Sequence, residues 1–123
     1  FHCSYMNNRL DPEIMKRHGC NISHQPVSNA SFGFWPNMVP FIDAGVNVSL
    51  GTDGQTQSMF ENMRAAQMIH RIRYEDLELL PDKQMFEMAT INGARSLHME
   101  DQIGTLEVGG YRPPQKQQPR SGI

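Results

Sequence analysis

The feature that most limits the possible folds is a short apolar run that ends in a glycine-flanked aspartate. The run covers residues 46–50 (VNVSL) and is followed by GTDG at 51–54. A short, partly β-branched run bounded by glycines favours a buried strand over a helix. Asp53 then lies just beyond the carboxyl end of that strand, where ligands bind in parallel sheets and in (β/α)8 barrels. We therefore predict that Asp53 is a metal-binding or proton-accepting carboxylate.

Proline, glycine and polar signals mark where helices begin and end. Asp11 and Pro12 are typical of a helix start, and Gly19 is typical of a helix end. In the same way, Asn37 marks the start of a second helix and Gly45 marks its end. We expect helices over 12–18, 38–44, 59–73 and 81–92, a helical turn over 94–97, strands at 1–3 (the end only), 20–23, 46–50 and 104–108, and loops over 24–36. This alternation predicts an α/β fold with a parallel sheet.

The helix over 59–73 shows the clearest apolar stripe. Phe60, Met63, Ala66, Gln67 and His70 share roughly one face, which we expect to be buried. His70 then reads as a surface or packing residue rather than a ligand.

Charge and cysteine usage exclude several classes of function. The formal net charge is −2, with acidic and basic residues mixed along the chain. Without a basic stripe, we expect neither a nucleic acid nor a membrane surface as a partner. Cys3 and Cys20 have no CxxC spacing, which predicts reduced, buried thiols in a cytoplasmic protein.

The two ends of the chain are unusual for a complete domain. The chain opens on Phe1, and residues 110–123 are polar, rich in proline and without periodicity. Such a segment cannot bury enough apolar surface to fold, so we expect a disordered tail there. We also expect the chain to be a fragment of a longer protein.

Polar side chains follow three successive predicted strand ends: His2, His24 and Asp53. Each alone is more often structural, as a hydrogen-bonding histidine or an Asp-Gly turn. Because the carboxyl ends of parallel strands meet at one edge, their shared placement favours a site. Such a trio suits hydrolysis by a metal-activated water, with Asp53 as metal ligand and proton acceptor.

Other motifs for catalysis are missing from the sequence. There is no HxH, HExxH or CxxC motif, although catalytic zinc usually has three protein ligands. There is also no GxGxxG, Walker or GxSxG motif, so nucleotide binding and serine nucleophile chemistry have no support.

Six blocks occur in a familiar order and spacing: HC at 2–3, SHQPVSN at 23–29, AGVNVSLGTDG at 44–54, MFENMR at 59–64, ATINGAR at 89–95 and GTLEVG at 104–109. Together they resemble the C-terminal part of the amidohydrolase superfamily. The branch that they resemble most holds the S-adenosylhomocysteine, guanine and cytosine deaminases and the triazine chlorohydrolases. The resemblance implies that residues 1–109 belong to a metal-dependent (β/α)8 barrel, of which they form the last three strand ends and their helices.

The resemblance also implies a reaction and a set of site residues. The reaction is hydrolytic deamination, or a related C–N or C–Cl hydrolysis, of a heteroaromatic ring by a metal-activated water. Asp53 matches the family's metal-binding aspartate, which accepts the proton of that water, and His2 matches the histidine that orients water and substrate. His24 and Asn29 match substrate-binding positions that shape the site.

The same resemblance implies the cofactor and its missing ligands. One divalent metal is expected, zinc in the first place and iron as the alternative. The family's HxH pair, the ligand histidine of its fifth strand and the glutamate near it have no counterpart here, so further ligands lie outside this chain. A homo-oligomer is compatible with the full-length form.

Three hypotheses stay open at this point. The chain can be an enzyme fragment that is inactive alone, because about half of the barrel is absent. It can be a degenerate, non-catalytic member of the family. It can also be an unrelated α/β binding module in which the motifs arise by chance.

Overall fold

A computed structural model describes residues 2–107, which form a mixed α/β fold. In chain order its elements are α1 (Asp11–Arg17), β1 (Asn21–His24), α2 (Pro26–Ser31), α3 (Val39–Asp43), β2 (Asn47–Leu50), α4 (Met59–Tyr74), α5 (Asp82–Ala89) and α6 (Ile91–Ser96). The two strands pair in parallel, with Asn21 opposite Asn47 and His24 opposite Leu50. The predicted α/β class and parallel pairing are confirmed.

Two of the predicted strands are not formed within the described residues. His2 and Cys3 lie in no strand and have positive φ values of 33° and 55°. Residues 104–107 also lie in no strand. Phe1, Val108 and the predicted tail at 110–123 lie outside the described residues.

The core lies on one face of the sheet. Ile22 and Val48 are opposite each other in register, and both are almost fully buried. They pack in one cluster with Phe41 of α3 and Met85 of α5. Because successive side chains of a strand point to opposite faces, His24 lies on the same face as Ile22. This alternation decides where the His24 side chain lies relative to the site.

Two corrections concern where helices lie. The predicted loop after β1 contains α2, which begins at Pro26, a residue that suits the first turn of a helix. The predicted helix over 81–92 ends earlier, because Thr90 has φ −128° and ψ −92° and separates α5 from α6. The Thr90 hydroxyl donates to the Phe86 carbonyl at 2.5 Å, a local bond that competes with helix continuation.

Helix caps and exposed residues bring further corrections. Asp11 lies inside α1, with Leu10 as the N-cap, and its carboxylate accepts a hydrogen bond from the Asn7 amide. Phe60 is 69% exposed, because the buried face of α4 is formed by Asn62, Met63, Ala66 and His70. Both cysteines are free as predicted, but Cys20 is exposed and Cys3 is only half-buried.

Within residues 2–107, no helix has the length and apolarity needed to cross a membrane.

Two glycines of the α6 region offer a matched stability test. Gly104 has φ +99°, and a Cβ there would lie 2.9 Å from Ala94 Cβ and 3.0 Å from Ile91 Cα. We expect Gly104→Ala to lower the free energy of unfolding by about 2–4 kcal/mol, from overpacking and left-handed strain. Gly93 lies within α6, and a Cβ there meets nothing within 4 Å. Gly93→Ala is therefore expected to raise stability by about 0.5–1 kcal/mol. Urea unfolding measures both values, and equal effects would contradict this packing.

Candidate active site

Three segments meet at the carboxyl end of the two strands. His2 lies ahead of α1, Ser28 and Asn29 lie on α2, and Asp53 lies three residues after β2. His2 Nδ1 is 2.8 Å from Asn29 Oδ1, and His2 Nε2 is 3.5 Å from Asp53 Oδ2. Ser28 Oγ is 2.6 Å from the same Asp53 oxygen. The structure thus brings His2 and Asp53 together, as predicted from the strand ends, and adds Asn29, which the resemblance had named.

Asp53 is held as an accessible, ionised carboxylate. Its backbone is left-handed, with φ 54°, and its side chain is 40% exposed. The Ser28 hydroxyl donates to Oδ2, and this bond is the main reason why the pKa of Asp53 lies below its ordinary value. The Gly54 amide and the nearby His2 ring lower the pKa further, while partial burial opposes them. At neutral pH the carboxylate therefore carries a full negative charge and can bind a cation.

His2 is held at its backbone and at its ring. Its amide donates to Gln25 Oε1 at 3.2 Å, and its Nδ1–H donates to Asn29 Oδ1 at 2.8 Å. With the proton on Nδ1, the other ring nitrogen, Nε2, faces Asp53. The side chain is 44% exposed, so Nε2 can reach a bound molecule.

Gln25, which accepts the hydrogen bond from the His2 amide, also contacts β1 and the residue that follows β2. Its Nε2 donates to Ser23 Oγ at 2.7 Å. A Cβ at position 51 would lie 2.9 Å from Gln25 Nε2 and 3.0 Å from Ser23 Oγ, so Gly51 leaves the room that Gln25 occupies. The glycine that follows β2 therefore has a steric role in the site, in addition to its place in the turn.

His24 lies in the core rather than with His2 and Asp53. Its ring is 2% exposed and packs edge to face against His70, with ring centres 5.6 Å apart. Neither His24 ring nitrogen has a hydrogen-bond partner in the described part of the chain. The alternation of β1 explains this placement, since His24 follows Ile22 onto the core face. The predicted convergence of three side chains holds for two of them, and substrate contact by His24 stays a prediction.

Burial keeps the imidazoles of His24 and His70 neutral. It lowers the pKa of His24 from 6.5 to about 3, with smaller contributions from His70 and His2. Burial also lowers the pKa of His70. His70 Nδ1–H donates to the Ala66 carbonyl, and its Nε2 accepts from the Met38 amide. Of the two readings that the sequence left open for His70, surface or packing, the structure supports packing.

Ser28 and Gln25 are site residues that the sequence reasoning missed. Both belong to the SHQPVSN block, whose histidine and final asparagine were singled out. The block was predicted to be a loop, and a loop gives no reason to point adjacent side chains at one site. The signal that could have revealed α2 is Pro26 after the strand, a typical first-turn residue.

The donors present fit a divalent ion in kind but not in number. A carboxylate oxygen of Asp53 and an imidazole nitrogen of His2 are the ligand types that zinc binds. Within residues 2–107, however, no group of three or more His, Cys, Asp or Glu residues could hold a metal. Any complete site requires ligands in addition to these.

Comparison with known proteins identifies the family of the chain. The family model described as "Amidohydrolase family" matches residues 1–111. A 5-methylthioadenosine/S-adenosylhomocysteine deaminase of Desulforudis audaxviator is 40% identical over 114 residues, covering 88% of this chain and 26% of the relative. An S-triazine hydrolase of Gordonia rubripertincta is 37% identical over 113 residues, covering 88% of this chain and 24% of the relative.

Solved structures share the fold. An adenosine deaminase from Xanthomonas campestris with bound zinc has a TM-score of 0.81 at 27% identity, over 89% of this chain and 26% of that one. The guanine deaminase of E. coli has a TM-score of 0.76 at 26% identity, over 89% of this chain and 25% of that one. The chain therefore spans about a quarter of the length of the proteins it matches.

Proposed function

The chain belongs to the amidohydrolase family, and on this basis we propose that it forms the last part of a metal-dependent (β/α)8-barrel hydrolase. The parallel pairing of β1 with β2 and the site at their carboxyl ends support a barrel origin. Family membership also removes the hypothesis of an unrelated binding module. Residues 1–109 are the barrel part in this proposal.

The proposed reaction is hydrolytic deamination of a nitrogen-rich aromatic ring. The oxygen of a water molecule bonds to the ring carbon that bears the amino group, one proton of that water passes to the amino nitrogen, the C–N bond breaks, and ammonia leaves. Three relatives or neighbours are named for adenine nucleosides, guanine or triazines, which share a flat heteroaromatic ring. Displacement of chloride at the equivalent ring carbon is the related alternative.

The observation that carries this proposal is the pairing of His2 with Asp53. A bound divalent ion, zinc first and iron as the alternative, would lower the pKa of a water molecule to about 7. Asp53 would contribute one ligand to such an ion and accept the proton of the water, since its carboxylate is ionised and accessible. His2 directs Nε2 toward the Asp53 carboxylate, 3.5 Å away, from where it would orient the water and the substrate.

Asn29 and His24 shape the site in different ways. Asn29 fixes the His2 ring from one side, so it governs the direction of Nε2. His24 lies at the end of β1 on the core face of the sheet, and it supports the site from there through its packing on His70. A homo-oligomer of the full-length form and a cytoplasmic location remain predictions.

We further propose that the 123-residue chain alone is inactive, because the remaining metal ligands of the site lie outside it. The test compares the 123-residue chain with a chimera in which it replaces the matched quarter of the Desulforudis audaxviator relative. After dialysis, the chain should hold far less than one zinc per molecule and release no ammonia from adenosine. The chimera should hold one zinc and release ammonia.

Two outcomes of this comparison would change the proposal. Tightly held, stoichiometric zinc in the chain alone would contradict an incomplete site. A chimera that folds and binds zinc but turns over nothing would support the degenerate, non-catalytic alternative instead.

A further inference from the structure

We propose that Gln25 is a positioning residue that holds the backbone of His2, and that Gly51 keeps free the space that Gln25 needs. This role rests on the proposed function, in which His2 orients the water and the substrate. Gln25 and Gly51 then act on the reaction through His2.

The backbone of His2 has a conformation that needs support. His2 and the following Cys3 both have positive φ values, 33° and 55°, in the region that residues with a side chain rarely adopt. Such conformations persist only where the surrounding structure holds them. The His2 amide donates to Gln25 Oε1 at 3.2 Å, whereas Asn29 contacts the His2 ring. Gln25 therefore fixes where the ring starts from, and Asn29 fixes the direction in which it points.

Gln25 is itself held firmly at the end of β1. Its residue is 7% exposed, and its Nε2 donates to Ser23 Oγ at 2.7 Å. Gln25 also precedes α2, and its carbonyl accepts a hydrogen bond from the Asn29 amide at 2.9 Å. Because Asn29 holds the His2 ring, one short segment controls both the backbone and the ring of His2.

Gly51 is the residue through which β2 affects this support. Its amide donates to the His24 carbonyl at 2.8 Å, which fixes the backbone beside β1. A Cβ there would lie 2.9 Å from Gln25 Nε2 and 3.4 Å from Gln25 Cγ, so the side chain of Gln25 must move. The backbone of Gly51 is not left-handed, and the atom that must move first ends a flexible side chain. Alanine at position 51 should therefore disturb the site more than the fold.

The first test measures by NMR how fast the His2 amide exchanges with water in the full 123-residue chain. Gln25→Met keeps the length of the side chain but removes the accepting oxygen, so it should raise this exchange rate about tenfold. Gly51→Ala should raise the same rate, because its methyl group pushes the Gln25 amide away. The double variant should match Gln25→Met to within about twofold, since Gly51 acts through Gln25. Effects that multiply in the double variant, or a rate that neither change raises, would overturn the proposal.

Two matched controls separate positioning from a general loss of stability. Gln67→Met removes a glutamine of α4 whose Nε2 donates to the Leu80 carbonyl and to Asp82 Oδ1. Gly93→Ala adds a methyl group to open space in α6. Both should leave the His2 exchange rate within about twofold of the parent chain. An equal rise in these controls would contradict a specific role of Gln25.

The test does not depend on the stability of one variant. Should Gln25→Met not fold, Gly51→Ala decides alone, because it displaces side-chain atoms and leaves the backbone in place. Urea unfolding shows whether that variant is folded. A folded Gly51→Ala chain with the exchange rate of the parent would then contradict the proposal.

A kinetic readout in the chimera separates positioning of His2 from a structural role. Gln25→Met and Gly51→Ala should each lower kcat/KM about tenfold or more, as small misplacements of a reacting group do. When His2 is already replaced by alanine, Gln25→Met should change kcat/KM by less than about twofold, because its effect requires the imidazole. An equal loss with and without His2 would show a structural role and overturn the inference.

These variants also distinguish the inference from the proposed function. If His2→Ala lowers kcat/KM while Gln25→Met does not, the role of Gln25 is wrong and the proposed function stands. If His2→Ala leaves kcat/KM unchanged, the proposed role of His2 fails, and the exchange rates alone decide whether Gln25 holds its backbone.

Discussion

Asp53→Ala in the chimera is expected to lower kcat by about 10⁴-fold, the upper end of what a general base contributes, because the same change also removes a metal ligand. The structure motivates this size of effect, since Asp53 is ionised, accessible and beside His2. Ammonia release and zinc content, measured on the same preparation, should fall together.

Two controls make the Asp53 result specific. Asp43→Ala removes the same charge from the exposed end of α3 and should leave kcat within about twofold. Asp53→Asn keeps the shape but cannot accept the proton, so it should resemble Asp53→Ala in kcat. An Asp53→Ala chimera with normal activity and zinc content would contradict the assigned role.

The second large effect is a loss of stability at mildly acidic pH, caused by His24. Its pKa is about 3 in the folded chain and 6.5 as an ordinary value, so the unfolded chain binds more protons between these limits. Stability must therefore rise with pH and fall as pH falls below about 6.5. Between pH 7 and pH 5, His24 alone should lower the free energy of unfolding by about 2 kcal/mol. His70 acts in the same direction, since its pKa is also lowered.

Urea unfolding at several pH values tests this prediction with a matched pair of histidines. His24→Phe removes the titrating ring from the core and should remove about 2 kcal/mol of the difference between pH 7 and pH 5. His18→Gln changes an exposed histidine and should leave the difference as it is. Asp53 does not interfere, because its carboxyl titrates below its ordinary value of 3.8. A slope unchanged by His24→Phe would show that His24 is not buried neutral.

Local signals in the sequence predicted the helices and strands well where they were strong. Gly19 and Gly45 have φ values of +62° and +78°, so the two predicted helix ends rest on the conformation that glycine adopts readily. Thr90 shows the limit of such signals. Nothing in its local pattern ends a helix, and the break depends on its own dihedral angles and hydroxyl bond.

The site could be predicted in part, for a physical reason. Asp53 and His2 follow strand ends, and the edge of a parallel sheet brings such residues together whatever the details of the loops. Ser28 could not be found in this way, because its role depends on a helix of six residues that turns its hydroxyl toward Asp53. His24 was misplaced because strand position was considered without strand alternation, which sends its ring to the core face.

The most direct test of the central claim is a crystal structure of the zinc-loaded chimera with anomalous scattering measured at the zinc edge. We expect a single zinc bound by the Asp53 carboxylate, with one Asp53 oxygen about 2.0–2.2 Å from the metal. A zinc peak remote from Asp53, or a carboxylate turned away from the metal, would contradict it.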